Sequence, residues 1–283
     1  MAARSRRAGA AAVLVIVLII TVLAITKAKH LRFPAIVSSG CLARGGAFDV
    51  PLDPGQASIA ATIAGVATRR SMPERAVTIA FAAALQESDL ANLSYGDRDS
   101  VGVFQQRPSE GWGTRRQLLD PVYASGRFFT ALAAVPHYLR LHVYQAAQAV
   151  QHSADGSAYA QYAPQGAEMA GGFSGQLPHA VWCWYGGTIS GKSRLRAAEA
   201  KLRRTFGPLR LSHVGDPGVR VRTRSTAAGW AVAAWLVANA STYQLKRVTY
   251  QGYQWTAAHA RKGWTTPHRS GRAPSVSTGV AFG

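Results

Sequence analysis

Acidic side chains are scarce in this chain. Only 13 Asp and Glu face 32 Lys and Arg over 283 residues, leaving a formal charge of +19. Such an imbalance points to a polyanionic neighbourhood: nucleic acid, acidic lipid or an acidic wall polymer. Cysteine is nearly absent as well, and two residues exclude both a disulfide-rich scaffold and a four-thiolate zinc site. There is no P-loop, dinucleotide glycine motif, His-Glu-x-x-His or Gly-x-Ser-x-Gly. The eight histidines are scattered without ligand spacing, so neither a metal nor a cofactor is expected. Apolar residues are not lacking. At 48% they exclude a largely disordered chain, and the length suffices for one or two domains with real cores.

The longest apolar run comes first. Residues 8–26 form an uncharged stretch of 19 behind Arg4, Arg6 and Arg7. As a helix it would span roughly 28 Å, about one hydrocarbon core. Thr26-Lys27-Ala28 is a poor signal-peptidase site, which favours an uncleaved anchor. Lys27, Lys29 and Arg32 nearly balance the arginines before the run. The short tail ahead of a long body nevertheless favours a single-pass cell-membrane protein with its body outside the cytoplasm. That topology argues against intracellular nucleic acid as the partner of the charge. In an oxidising compartment Cys41 and Cys183 become a candidate disulfide, with two buried thiols as the alternative.

Composition divides the rest. Residues 1–30 read as cytoplasmic tail and anchor, and 31–52 as a stalk with little periodicity. Residues 53–170 read as a helical domain. Asp53-Pro54 and Ser71-Met72-Pro73-Glu74 look like helix starts. Between Ala76 and Ser88 the residues Val77, Phe81, Ala84 and Leu85 make one apolar stripe. Turn chemistry follows over 92–100, a short strand is expected over Val101 to Gln106, and further helices to Ala170. Residues 171–225 read as a Gly/Arg-rich linker with a basic helix from Lys192 to Phe206. Residues 226–283 read as a small α+β domain, a Trp-bearing helix followed by short strands. The expected class is therefore mainly α with small β insertions.

One carboxylate stands out. Glu87 lies near the end of the most apolar helix, where desolvation would raise the pKa of a carboxyl. A raised-pKa acid is what protonation of a glycosidic oxygen requires near neutral pH. An exposed helix-end glutamate is the bland alternative. The neighbouring residues add weight to the first reading. Ala84-Leu85-Gln86-Glu87-Ser88, then Tyr95-Gly96-Asp97-Arg98-Asp99-Ser100-Val101-Gly102-Val103-Phe104-Gln105-Gln106-Arg107-Pro108 and Gly111-Trp112-Gly113-Thr114, resemble the goose-type lysozyme and soluble lytic transglycosylase superfamily, and within it a group of actinobacterial wall-associated proteins. The resemblance covers roughly residues 53–170. It implies a lysozyme-like α+β domain with Glu87 as general acid. It also implies Gln105 shaping the cleft and bonding an N-acetyl group or hydroxyl, Ser88 supporting the reacting sugar, and Phe104 as an apolar wall. The superfamily's Ala-Tyr-Asn motif is matched only in part by Ala158-Tyr159-Ala160, so Tyr159, with Tyr162 as the alternative, is a weaker carry-over.

The reaction turns on a second carboxylate. Inverting hydrolysis needs a base some 6.5–9.5 Å from the acid. Asp97 and Asp99 sit where goose-type enzymes carry such groups, yet Gly96-Asp97-Arg98-Asp99 also reads as a hydrogen-bonded turn. Without a base, the substrate's own hydroxyl attacks and leaves an anhydro-muramic end, and this transglycosylase route is favoured. The expected function is a membrane-anchored glycosidase acting on the MurNAc–GlcNAc β-1,4 bond of peptidoglycan. The alternative is a non-catalytic peptidoglycan-binding component of a conjugation or secretion apparatus, and anionic wall polymers are further partners that the charge admits. Trp230, Val248-Thr249-Tyr250, Trp255 and Gly263-Trp264 resemble a small secreted α/β domain appended to actinobacterial wall enzymes. Its His-x-His end is missing here, which leaves a binding or spacer role.

Overall fold

The computed structural model describes residues 39–152, 156–187, 189–215, 218–266 and 279–283. The expected anchor over 8–26 lies outside them. Among the described residues no helix is long and apolar enough to cross a membrane.

The chain enters through two short strands, β1 (Gly40–Ala43) and β2 (Val50–Leu52), where the sequence suggested a stalk. Their inward residues Cys41, Ala43, Val50 and Leu52 are buried, a period-2 pattern too short to register in the sequence. Helix α1 (Pro54–Arg69) begins at Asp53, whose backbone N–H donates to Gln56 Oε1 at 2.9 Å. Helix α2 (Glu74–Ser88) follows without the expected Ser71 cap. Pro73 occupies the cap position and Ser71 is left-handed at φ 55°.

Ten successive residues of α2, Ala76 to Leu85, are buried. Alanine on most faces lets neighbours approach closely, and the neighbours supply matching small residues. At Gly166 a Cβ would lie 3.0 Å from the Thr78 carbonyl oxygen, so glycine there allows the next helices to close on α2. Beyond α2 come α3 (Arg115–Leu118), α4 (Pro121–Ala134) and α5 (Val143–Gln151). A 3₁₀ segment, Gly156–Tyr162, then leads into α6 (Ala163–Phe173), with Pro164 in its first turn, where the two segments divide.

Strand β3 (Val181–Trp184) pairs antiparallel with β1, in the order β2-β1-β3. Cys41 and Cys183 face each other in that register and form a disulfide. After α7 (Leu195–Phe206), β4 (Arg210–His213) and β5 (Val219–Arg222) form a hairpin where a linker was expected. Then come α8 (Thr226–Ala238), α9 (Ala240–Tyr243), β6 (Arg247–Tyr250), β7 (Tyr253–Thr256) and β8 (Gly279–Phe282). The second sheet is antiparallel throughout, in the order β4-β5-β8-β6-β7.

The expectation of a mainly α fold, with a lysozyme-like α+β domain and a separate small α+β domain, is corrected here, while the expected transmembrane helix lies outside the described residues. About half of the described residues are helical, and two antiparallel sheets share the frame with the helices. The misreading has a physical cause. Each strand is three or four residues long, and β1 with β3, or β5 with β8, meet only through long-range pairing.

Residues Ser39–Gly283 cluster as one compact unit. Helix α8 is buried continuously from Gly229 to Ala238 and packs against α1 and against strands of both sheets. Trp235 and Trp255 are fully buried, and Trp230 is 3% exposed. The Trp255 indole donates to the Cys183 carbonyl at 3.0 Å, and Trp264 to the Val181 carbonyl at 2.7 Å, stitching the C-terminal segment to β3. These tryptophans therefore serve the core rather than an exposed stacking face.

Candidate active site

Helix α2 stops abruptly, and that stop presents Glu87. Asp89 and Leu90 are both left-handed, at φ 51° and 59°. The Leu90 N–H bonds back to the Ala84 carbonyl at 3.1 Å, a Schellman-type closure. Two left-handed residues with side chains cost on the order of 1 kcal/mol each. The cost is met by Leu90, whose side chain is wholly buried. Behind the stop the helix is dry, whereas Gln86, Glu87 and Ser88 are half-buried at its lip.

The turn opposite the lip is fixed in detail. Val101 and Gln106 bridge across it, as do Leu93 and Gly102, in place of the continuous strand that the sequence suggested. Ser88 donates its hydroxyl to the Val103 carbonyl at 2.7 Å, pinning the turn to the helix. Phe104 is fully buried and stacks on Phe128 with ring centroids 4.5 Å apart, so it supports the turn from behind instead of walling a cleft. Its carbonyl accepts a 2.7 Å bond from Gln151.

Gln105 is left-handed at φ 46° and is held by its own amide. Nε2 donates to the Tyr95 carbonyl at 3.3 Å and the Gly102 carbonyl at 3.1 Å, while Oε1 accepts from Ser100 at 3.0 Å. Both amide hydrogens are thus engaged, and one Oε1 lone pair remains for a ligand. Any side chain at residue 96 would collide with this amide and with the Ser100 hydroxyl, which is why glycine follows Tyr95. Tyr95 itself is 70% exposed, an unusual exposure for an aromatic in a fixed turn.

The Glu87 carboxylate has a partner that lies 72 residues away. The Tyr159 phenol donates to Glu87 Oε1 at 2.6 Å, and the Tyr159 side chain is 1% exposed. Next to it Gln161 donates to Gln86 Oε1 at 3.3 Å. No other hydrogen-bond partner of Glu87 occurs among the described residues. Tyr162, the alternative to Tyr159, is half-buried against the core.

The two aspartates behave differently from each other. Asp97 projects into solvent with its side chain 92% exposed, and its ion pair with Arg98 is 3.9 Å long. Asp99 is clasped. It accepts the Ser109 backbone N–H at 2.8 Å, the Ser109 hydroxyl at 2.9 Å and Arg107 Nε at 3.0 Å. The Ser109 backbone bond, followed by the contacts from Arg107 and the Ser109 hydroxyl, holds its pKa down at about 2. A carboxylate so engaged closes the 97–109 loop and is a poor proton acceptor.

Gln151 and Gln161 carry no signal of their own in the sequence, because each acts through a partner distant along the chain. A group of His, Cys, Asp or Glu suited to a metal does not occur among the described residues.

Comparison with known proteins touches a different part of the chain. Residues 216–276 are similar to the C-terminal domain of VldE. The matched stretch holds β5, α8, α9, β6 and β7, and Glu87 and the residues around it lie outside it. No curated protein matches the chain.

Proposed function

We propose that the protein cleaves the MurNAc–GlcNAc β-1,4 bond of peptidoglycan by a lytic transglycosylase route, with Glu87 as its one acid/base. The observation that carries this reading is the 2.6 Å hydrogen bond from the buried Tyr159 to Glu87. It orients the carboxyl and leaves its second oxygen to face a substrate. Protonated Glu87 gives its proton to the glycosidic oxygen as the C1–O bond breaks. The resulting carboxylate then takes the proton of the muramyl hydroxyl that attacks C1, and an anhydro ring closes.

Hydrolysis would require a second carboxylate to activate water. The Ser109 and Arg107 clasp on Asp99 and the solvent exposure of Asp97 argue against either as that base. Tyr95 offers an exposed ring for sugar stacking beside the Gln105 turn.

The test is incubation of the full chain with purified peptidoglycan and mass spectrometry of the released muropeptides. Anhydro-ended products from wild type, with none from Glu87→Gln, are expected. Hydrolysed ends would overturn the transglycosylase route. Binding to the wall without release would replace the enzyme with an assembly or binding component.

A further inference from the structure

Far from Glu87, four separated segments bring arginines together. Arg69 and Arg70 end α1, Arg116 comes from α3, Arg127 from α4, and Arg203 and Arg204 from the last turn of α7. They line an open cleft of about 780 Å³ in which the one acidic residue is Asp120. That carboxylate is already shared by Lys201, at 3.5 Å, and by Arg204. Among the described residues none of the other five arginines forms an ion pair.

Four of the five are nevertheless held in place. Arg69 donates to the Arg204 carbonyl at 2.6 Å, Arg70 to Thr130 at 2.9 Å, Arg127 to the Gly111 carbonyl at 3.2 Å and Arg203 to the Leu209 carbonyl at 2.8 Å. Each of these bonds uses one of the five guanidinium N–H groups, so most donors stay available while the charge stays uncancelled. Burial and the charge of Arg70 both lower the pKa of Arg69, a sign of crowding that a bound anion would relieve.

A second cavity, of about 440 Å³, shares Arg69 and continues to Arg210, Arg222 and Arg224, with no acidic residue in its lining. We propose that these two adjoining arginine pockets form a binding site for a linear, base-free phosphodiester polymer of the poly(glycerol phosphate) type, successive phosphates pairing with guanidinium groups on either side of Arg69. Guanidinium forks match phosphate oxygens two at a time, which suits arginine to this task.

The polymer follows from the shape. Two pockets with one shared wall accommodate consecutive anions, whereas a single small anion would occupy one of them. Single-stranded nucleic acid relies on exposed aromatic platforms. Here Tyr123 directs its hydroxyl to the Trp112 carbonyl at 3.3 Å, and Phe206 is buried. The site stands independently of the Glu87 chemistry. Arg70 closes α1 ahead of α2, Glu87 stands in the last turn of α2, and no residue of α2 lines either pocket.

The experiment is fluorescence anisotropy of the full chain with a labelled poly(glycerol phosphate) oligomer. Saturable, salt-sensitive binding is expected. Arg116→Glu with Arg127→Glu, and separately Arg222→Glu with Arg224→Glu, should each weaken it by about tenfold or more, the equivalent of one charge-assisted hydrogen bond. The charge-matched pair Arg140→Glu with Lys262→Glu, outside both pockets, should weaken it by less than about threefold. Should the reversals fail to fold, Arg116→Gln with Arg127→Gln is expected to act in the same direction. Glu87→Gln should bind like wild type, which separates this site from the catalytic reading. Absence of saturable binding would overturn the proposal. So would an equal loss in the control pair, or displacement by an equally charged DNA oligonucleotide or anionic vesicles as effective as by unlabelled oligomer.

Discussion

The ends of α1 and α2 are built on opposite principles. At the C-terminal lip of α2 one carboxylate is held by one phenol, among neutral glutamines and a turn that satisfies its own polar groups. Around the end of α1 six arginines gather about a single aspartate that Lys201 and Arg204 already share. A large charge imbalance invites the assumption that charge marks the active centre. The contrast teaches otherwise. Proton transfer needs one placed group in a quiet field, whereas polyanion capture needs many uncancelled charges and tolerates a loose geometry.

The largest expected effect lies at the lip. Replacing Glu87 by Gln keeps shape and hydrogen bonding but removes the proton, and muropeptide release should fall by about 10²–10⁴-fold. Polymer binding at the arginine pockets should be unchanged in the same protein. If binding and release fell together, the two ends would not be separate devices and the comparison would collapse.

The next effect tests whether both ends belong to one folding unit. Cys41 and Cys183 close a loop with a sequence separation of 142. A chain-entropy estimate gives the link about 5 kcal/mol, and measured disulfides deliver about 2–4. Cys41→Ser with Cys183→Ser should lower the denaturation midpoint accordingly. Release and polymer binding should be lost in a single transition, followed by circular dichroism and both assays. Two separate transitions would show that the ends unfold independently.

Parts of this arrangement were legible in the sequence, and the reasons are local. Glu87, Ser88 and Gln105 stand in short ordered motifs, and the acid could be singled out because its helix carries almost no other charge. Chain order alone also suggested that Asp97 to Asp99 form a turn. The strands were not legible. Three or four residues of alternation, as in Val50–Leu52, carry too little periodicity, and their partners lie far along the chain. Ser71 and Glu74 have capping-box spacing, but Pro73 takes the cap and the motif misleads. The arginine cleft was invisible for the same reason as the strands. Its residues come from positions 69 to 204, and the sequence suggested only a charged linker.

Tyr159 separates orientation from proton transfer at the lip. Its phenol contributes one hydrogen bond to a charged group, worth about 1.5–3 kcal/mol. Tyr159→Phe should therefore cut release by roughly 10–100-fold, well short of the loss in Glu87→Gln. Undiminished release in Tyr159→Phe, with intact folding, would reduce Tyr159 to core packing.

The smallest effect concerns the loop that carries the turn. The folded pKa of Asp99 is about 2, below an unfolded value near 3.9. A depressed carboxylate contributes stability that is fully present above the unfolded pKa and is lost as the pH falls through the folded one. Loop 97–109 should thus open between about pH 4 and pH 2, read by the fluorescence of Trp112 or by amide exchange at Ser109. Asp99→Asn removes that acid transition, and its loop should be looser already at neutral pH. Asp97→Asn, by contrast, alters an exposed side chain whose ion pair with Arg98 is 3.9 Å long, and exposed pairs contribute little. It should leave both loop and release close to wild type. A large loss of release in Asp97→Asn, with the loop intact, would identify Asp97 as the base of a hydrolase. It would also end the contrast between a one-carboxyl lip and a many-charge cleft.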